Sequence, residues 1–195
     1  LADGYGSFYI HRYDKDAKQR QLFGRWVALS KHPQSAAWLA GQLRDTEPMV
    51  REVALRSLGE LPTEAARQEL LKTAQRETGR PRAIAIHALA EHSIQDVLKF
   101  SRDPSGEVRA AVARSLVNRP SDETAITLRP MVSDTQPEVP ATALTTIQEW
   151  PLEWRLPLLL EAVRVGSLVT RQTAVFALRD AIVDLPDLPI DGSPD

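Results

Sequence analysis

Apolar and small residues stand at Val108, Ala111, Val112, Ser115 and Leu116, the i, i+3, i+4, i+7, i+8 spacing that lines one face of an α-helix. The same five positions recur as Val50, Val53, Ala54, Ser57, Leu58 and as Pro81, Ile84, Ala85, Ala88, Leu89. They recur again as Val139, Thr142, Ala143, Thr146, Ile147 and as Thr170, Thr173, Ala174, Ala177, Leu178. The last member of each set lies at 58, 89, 116, 147 and 178, so the steps are 31, 27, 31 and 31 residues. A fixed period within roughly 20–50 residues marks a repeat architecture. The middle column (Ala54, Ala85, Val112, Ala143, Ala174) is small enough to let a neighbouring helix approach closely. The last column (Leu58, Leu89, Leu116, Ile147, Leu178) is large and aliphatic and should fill the space between layers.

A second amphipathic segment precedes each copy, at about 35–43, 63–76, 94–102, 121–132 and 152–164. Ser93 with Asp96, and Ser121 with Thr124, read as helix starts. Pro130 and Pro157 fall inside these first helices, where a proline's missing N–H should bend the chain. Phe23, Trp26 and Val27 fit the register one period before Leu58, which predicts a further capping helix over 16–31. One helix pair cannot bury its apolar face alone, whereas a stack of pairs can.

The loop-to-helix junctions RDTEPMVREVALRSLGEL, RDPSGEVRAAVARSL and SDTQPEVPATAL resemble those of the HEAT-repeat family, especially the short bacterial HEAT-like type, over about residues 34–183. The resemblance implies an all-α fold, a right-handed α-α superhelix of about five helix pairs whose second helices line a concave face. It also implies a structural ladder in which a loop Asp meets an Arg just inside the second helix. Asp45 with Arg51 and Asp103 with Arg109 match that pattern, and Glu77 with Arg82 is a shortened form. Pro140 and Val165 interrupt the ladder in the last two repeats.

The ends differ in character. FYIHRY followed by DKDAK predicts an extended or hairpin segment over 1–15. Residues 2–24 resemble part of one NHL-type β-propeller blade, with Ala17 where that pattern carries a turn Gly. One blade cannot close a propeller, so either a propeller precedes it in a parent protein or the likeness is accidental; the accident is the favoured reading. The solenoid is expected over 16–183, followed by a Pro- and Asp-rich tail over 184–195. Residues 1–33 carry six Lys/Arg against three Asp, and 179–195 carry one Arg against five Asp. Two solvated ends explain this more simply than head-to-tail association. The start at Leu1 suggests a piece of something longer.

Composition narrows the chemistry. Aromatic residues make up 6% of the chain, so the core must be aliphatic. With no Cys, disulfides, thiolate metal sites and a Cys nucleophile are excluded, while the compartment stays open. The formal net charge of −2 gives no general attraction to nucleic acid or anionic membrane. No apolar run reaches the roughly 18 residues of a membrane helix. His87 and His92 are five apart, off a common helical face, and read as ordinary surface residues. The repeated His-Glu dipeptides of HEAT-like deoxyhypusine hydroxylases are absent. HEAT-like DNA-alkylation glycosylases use aromatics in a basic groove; Trp150 and Trp154 flank Pro151 and read instead as plugs between repeats.

Two rows on the second helices remain. One is Arg56, His87, Arg114, Thr145 and Phe176; beside it run Glu60, Glu91, Asn118, Glu149 and Asp180. Pairing along each helix, such as Arg56 with Glu60, explains part of the pattern. Arg114 faces the uncharged Asn118 and is the least compensated cation of the row. The expectation is a non-catalytic protein-binding scaffold without cofactor or metal. Its partner would be an acidic or mixed-charge protein segment, or another domain of the parent, meeting Arg114, His87, Arg56 and Phe176. Neither nucleic acid nor membrane insertion is expected. The alternatives are an accessory subunit of a chromophore lyase and, behind it, a HEAT-like DNA-alkylation glycosylase.

Overall fold

The computed structural model describes residues 16–181. The hairpin expected over 1–15 and the tail over 184–195 lie outside the described residues. The chain divides into two compact units, with the boundary between Asp96 and Val97.

The first unit is built from α1 (Ala17–Ser30), α2 (Ser35–Gln42), α3 (Pro48–Gly59), α4 (Glu64–Arg76) and α5 (Gly79–Leu89), with α6 (Ile94–Leu98) at the boundary. Local chemistry sets the starts. Asp16 caps α1 by accepting from the Lys18 N–H at 3.1 Å. Thr63 caps α4 through the Ala66 N–H at 3.2 Å. Pro48 opens α3, at a position where no intrahelical N–H bond is lost. Within the unit, α1 packs on α3 and α3 on α5, while α2 and α4 pack beside them. Ala54, Leu58, Ala85 and Leu89 are almost completely buried in that stack. The fit leaves no slack: a Cβ on Gly59 would lie 3.0 Å from the Cβ of Ala88.

The second unit contains α7 (Gly106–Arg114), α8 (Asp122–Leu128), a 3-10 helix (Arg129–Ser133), α9 (Glu138–Thr146), α10 (Leu152–Val165) and α11 (Leu168–Ala181). Here α7 packs on α9 and α9 on α11, with α8, the 3-10 helix and α10 forming the other layer. Val112, Leu116, Ala143, Ile147, Ala174 and Leu178 are buried. Each unit is thus an all-α stack of helix pairs of the α-solenoid type, as the period predicts, and no strand occurs among the described residues.

The expected first helices are found, with two adjustments. The segment expected over 94–102 is helical only over Ile94–Leu98. The step of 27 residues at this point is four short of the others, about one helical turn. At Pro130 the chain does not bend as one helix: α8 stops at Leu128 and continues as the 3-10 helix. Pro157 remains inside α10, and Pro140 is the third residue of α9, where no intrahelical N–H partner is needed. The Ser93 and Ser121 hydroxyls cap as expected, accepting from the Asp96 and Thr124 N–H groups at 3.2 Å each.

Three sequence expectations need correction. Trp26 is not in the core with Phe23 and Val27; it is 54% exposed and stacks on Phe23 at a 5.6 Å centroid distance. It occupies the position of buried Ser57 one period on, a slot that takes only a small side chain. Thr142 and Thr173, in the second apolar column, are half-buried and exposed. Their hydroxyls donate to the Glu138 and Val169 carbonyls of their own helices at 2.7 and 3.0 Å, which satisfies them without burial. His92 is half-buried, not an ordinary surface residue. Its Nε2 lies 3.0 Å from the Leu58 carbonyl and supplies an N–H to the last turn of α3.

Leu116 is 0% and Leu178 1% exposed. Truncating either to Ala removes equivalent buried volume, at a cost of about 2–5 kcal/mol. Denaturant melts followed by circular dichroism should place both variants in that range. A Leu178→Ala protein that melts like the parent would show that the last layer is not packed as described.

Candidate functional site

The stacking that buries one face of each second helix leaves the opposite face in solvent. Arg56 on α3, His87 on α5, Arg114 on α7, Thr145 on α9 and Phe176 on α11 are all exposed. So are Glu60, Glu91, Asn118, Glu149 and Asp180. The first row lies on the helices as expected, but of the second only Asp180 does: Glu60, Glu91, Asn118 and Glu149 stand in turns just past the ends of α3, α5, α7 and α9.

The expected partner of Arg56 is not the one observed. Arg56 lies 3.8 Å from Glu52, one turn earlier, and no pairing with Glu60 is present among the described residues. Glu52 is already committed: Arg80 on α5 grips it with Nε at 2.7 Å and Nη2 at 3.1 Å. The Arg80 hydrogen bonds hold the Glu52 carboxyl below the usual carboxylate range, against the opposing effect of burial. Arg56 therefore shares a carboxylate that a neighbouring repeat already holds. Arg114 has no carboxylate partner among the described residues, and Phe176 is 64% exposed.

Two grooves between successive second helices form pockets. In the first unit, Arg25 and Leu29 of α1 face Val53, Arg56 and Ser57 of α3, together with Glu60, around about 310 Å³. In the second unit, Thr145 and Gln148 face Thr173, Phe176, Ala177 and Asp180, with Leu144, Ile147, Arg155 and Leu159 completing about 320 Å³. Five of the six lining positions of the first pocket correspond to lining positions of the second. Val53, Arg56, Ser57 and Glu60 become Thr173, Phe176, Ala177 and Asp180 after four repeat steps, and Arg25 becomes Thr145. Arg25 is the residue that sequence reasoning missed. The signal lies in the chain, since Arg25 stands one 31-residue step before Arg56, in the capping helix.

The ladder residues take a definite geometry. Arg51 Nη1 donates to the Asp45 and Thr46 carbonyls at 2.7 and 3.0 Å. Arg109 Nη1 does the same to Asp103 and Pro104 at 2.6 and 3.0 Å. The carboxylate rung comes from the next loop: Arg109 Nε and Nη2 donate to both oxygens of Asp134 at 2.6 and 2.7 Å. Arg20 grips Asp45 in the same way at 2.7 and 3.1 Å. Each loop Asp also accepts the N–H two residues on, at 2.9 Å in Asp45–Glu47, Asp103–Ser105 and Asp134–Gln136. Pro140 therefore does not end the ladder at its own loop, because Asp134 is held by the Arg of the preceding repeat. Arg20 and Asp134 are rung residues that the sequence pairing overlooked. On the other layer Arg67 of α4 bonds Asp96 of α6 and Glu64 of its own helix.

Of the tryptophans, Trp150 is 3% exposed and its Nε1 donates to the Val117 carbonyl at 2.7 Å. Trp154 donates to Asp122 at 3.2 Å, and Trp38 packs edge-on against Phe23. Among the described residues no group of three or more His, Cys, Asp or Glu could hold a metal ion. No described helix is long and apolar enough to cross a membrane.

A family model described as HEAT repeats matches residues 9–90 and 94–179. Among solved structures, the crystal structure of an engineered protein is similar at 19% identity, over 86% of this chain and 92% of that one, with a TM-score of 0.43. No curated protein sequence matches.

The rungs predict an acid response. Burial raises the Asp134 and Asp45 carboxyls, but hydrogen bonds from Arg109 and Arg20 and from loop N–H groups outweigh it, so both sit below their ordinary 3.8. A carboxyl lowered in the folded state stabilises above its unfolded value and loses that contribution as pH falls through the folded value. Melting temperature should drop as pH falls below about 4. Arg109→Ala should cost about 1–3 kcal/mol at neutral pH and shrink the acid-dependent part. An Arg109→Ala protein with parental melting at pH 7 would remove the rung from the stability of the fold.

Proposed function

Since the chain belongs to the HEAT-repeat family over residues 9–90 and 94–179, we propose that it is a non-catalytic scaffold that holds an acidic or mixed-charge protein segment, or another domain of its parent, on the exposed faces of its second helices. The observation that carries this reading is the split between two classes of arginine. Arg20 and Arg109 are spent on buried-edge rungs, with side chains 14% exposed. Arg56 and Arg114 stand in solvent on the opposite faces, one weakly compensated and one without a carboxylate partner among the described residues. A solvent-exposed guanidinium with a free planar fork is a frequent interface anchor. Phe176 adds an exposed aromatic of the kind that anchors interfaces.

Neither alternative has an observation of its own. Trp150, which a nucleic-acid enzyme would need in a groove, is buried and bonded to backbone. The exposed second-helix rows mix both signs of charge, whereas phosphate tracking needs a sustained basic stripe. A pigment-handling subunit remains a second-choice reading without a residue to carry it.

Arg114→Glu should weaken binding of a fluorescein-labelled peptide of alternating Glu and Leu by about 2 kcal/mol or more, the scale of an interface hot spot. Arg129→Glu, on the other layer, should leave it unchanged. Anisotropy titrations that give equal affinities for the parent and Arg114→Glu would remove Arg114 from the interface.

A further inference from the structure

We infer that the pocket between α1 and α3 is a carboxylate-recognition site, with Arg25 and Arg56 as its paired donors and Leu29 as the seat of an adjoining apolar residue. The inference rests on the scaffold reading above and names the chemistry of one of its contacts.

Arg25 and Arg56 lie one repeat apart on helices that pack directly on each other, and both line the same space of about 310 Å³. Both are exposed. Arg25 has no ion pair among the described residues, and Arg56 has only the 3.8 Å contact to Glu52. Two guanidinium groups at one pocket repel each other, and Glu52, the carboxylate that Arg56 touches, is held by Arg80 at 2.7 Å. An incoming carboxylate relieves that repulsion and can accept two parallel N–H bonds from a guanidinium fork. The pocket is at the small end of the size range of ligand sites, enough for one acidic side chain and part of its neighbour. Leu29 is 74% exposed at the same pocket and Val53 lies in its floor, so an apolar residue next to the acid has a surface to cover.

Glu60 gives the site polarity. It lines the pocket but makes no ion pair with Arg25 or Arg56 among the described residues. A second acidic group on the Glu60 side would be repelled, while a peptide N–H or a basic side chain would be accepted there. The pocket in the second unit supplies an internal comparison. There the positions of Arg25 and Arg56 are taken by Thr145 and Phe176, and the one arginine present, Arg155, donates through Nη1 to the Gln148 carbonyl. The same backbone groove therefore accepts a carboxylate in one unit and an apolar side chain in the other, according to what the repeat places at this one position.

The test uses the full chain and two fluorescein-labelled peptides, one alternating Glu and Leu, the other with Gln in place of Glu. The Glu peptide should bind, with affinity falling as salt rises, and the Gln peptide should bind at least tenfold more weakly. Arg25→Gln and Arg56→Gln should each weaken the Glu peptide about tenfold with unchanged circular dichroism. Arg25→Lys, which keeps the charge and loses the fork, should fall between. Glu60→Gln should tighten binding two- to threefold, and Arg129→Glu, on the other layer, should leave it unchanged. In ¹⁵N-edited spectra the Arg25 and Arg56 Nε–H signals should shift on titration. Binding that survives both Gln substitutions but is lost in Arg114→Glu overturns this site and leaves the scaffold reading standing. Loss in Arg25→Gln and Arg56→Gln with Arg114→Glu unaffected supports it and moves the anchor to the first unit. Absence of binding to the parent chain overturns both.

Discussion

Successive second helices lie against one another because the residue at the centre of each contact is small. Ala54 meets this demand in α3, Ala85 in α5, Ala143 in α9 and Ala174 in α11, and each is all but inaccessible to water. Gly59 against Ala88 shows how little room is left, since a single added Cβ would crowd that alanine. Interiors packed at crystal-like density forfeit dispersion energy as soon as the fit loosens. The large column then closes the remaining space, with Leu58, Leu89, Leu116, Ile147 and Leu178 in the same role in every layer. Everything exposed on the second helices is exposed because this contact fixes which way each helix is turned.

The polar rungs follow from the same stacking. When helices start at equal steps along a chain, the loop before one helix lies beside the first turn of its predecessor. An arginine in that first turn can then satisfy its own loop's carbonyls and grip the next loop's aspartate at once. Arg109 does both, bonding the Asp103 and Pro104 carbonyls and both oxygens of Asp134. Such partly buried, multiply bonded pairs are worth more than the exposed kind. They also remove arginines from the pool that could meet a ligand. On the second helices, Arg25, Arg56 and Arg114 remain facing outward with little or no compensation. The distinction between ladder arginine and outward-facing arginine is thus one of helix face, set five residues apart on the same helix, as in Arg20 and Arg25, Arg51 and Arg56, and Arg109 and Arg114.

The periodicity legible in the chain covered most of the architecture. Side chains repeating at one helical face, at a constant step, leave few ways to hide apolar surface other than by stacking the repeats. The helix starts at Ser93 and Ser121 were legible for the same reason, because a cap is a contact between residues three apart. The site was legible only in part. Its row is visible from Arg56 to Phe176, but Arg25 sits in a capping helix whose pattern is interrupted by Gly24 and Trp26, which hides the continuation of the row.

Which residue would pair with which was beyond the sequence. A helical wheel allows Arg56 to meet Glu60 or Glu52 equally well; Arg80, brought in from the next repeat, decides the local charge balance around Glu52. In the same way a loop aspartate reads as the partner of the arginine six residues on, while the fold hands Asp45 to Arg20 and Asp134 to Arg109, each twenty-five residues back. The sequence by itself determined the all-α stack and its buried columns, because those depend on periodicity along one chain segment. The tertiary structure decided the rungs, the exposed Trp26, the buried-edge role of His92 and the two pockets. These depend on distances between segments, and a side chain pairs with what is nearest in space, not along the chain.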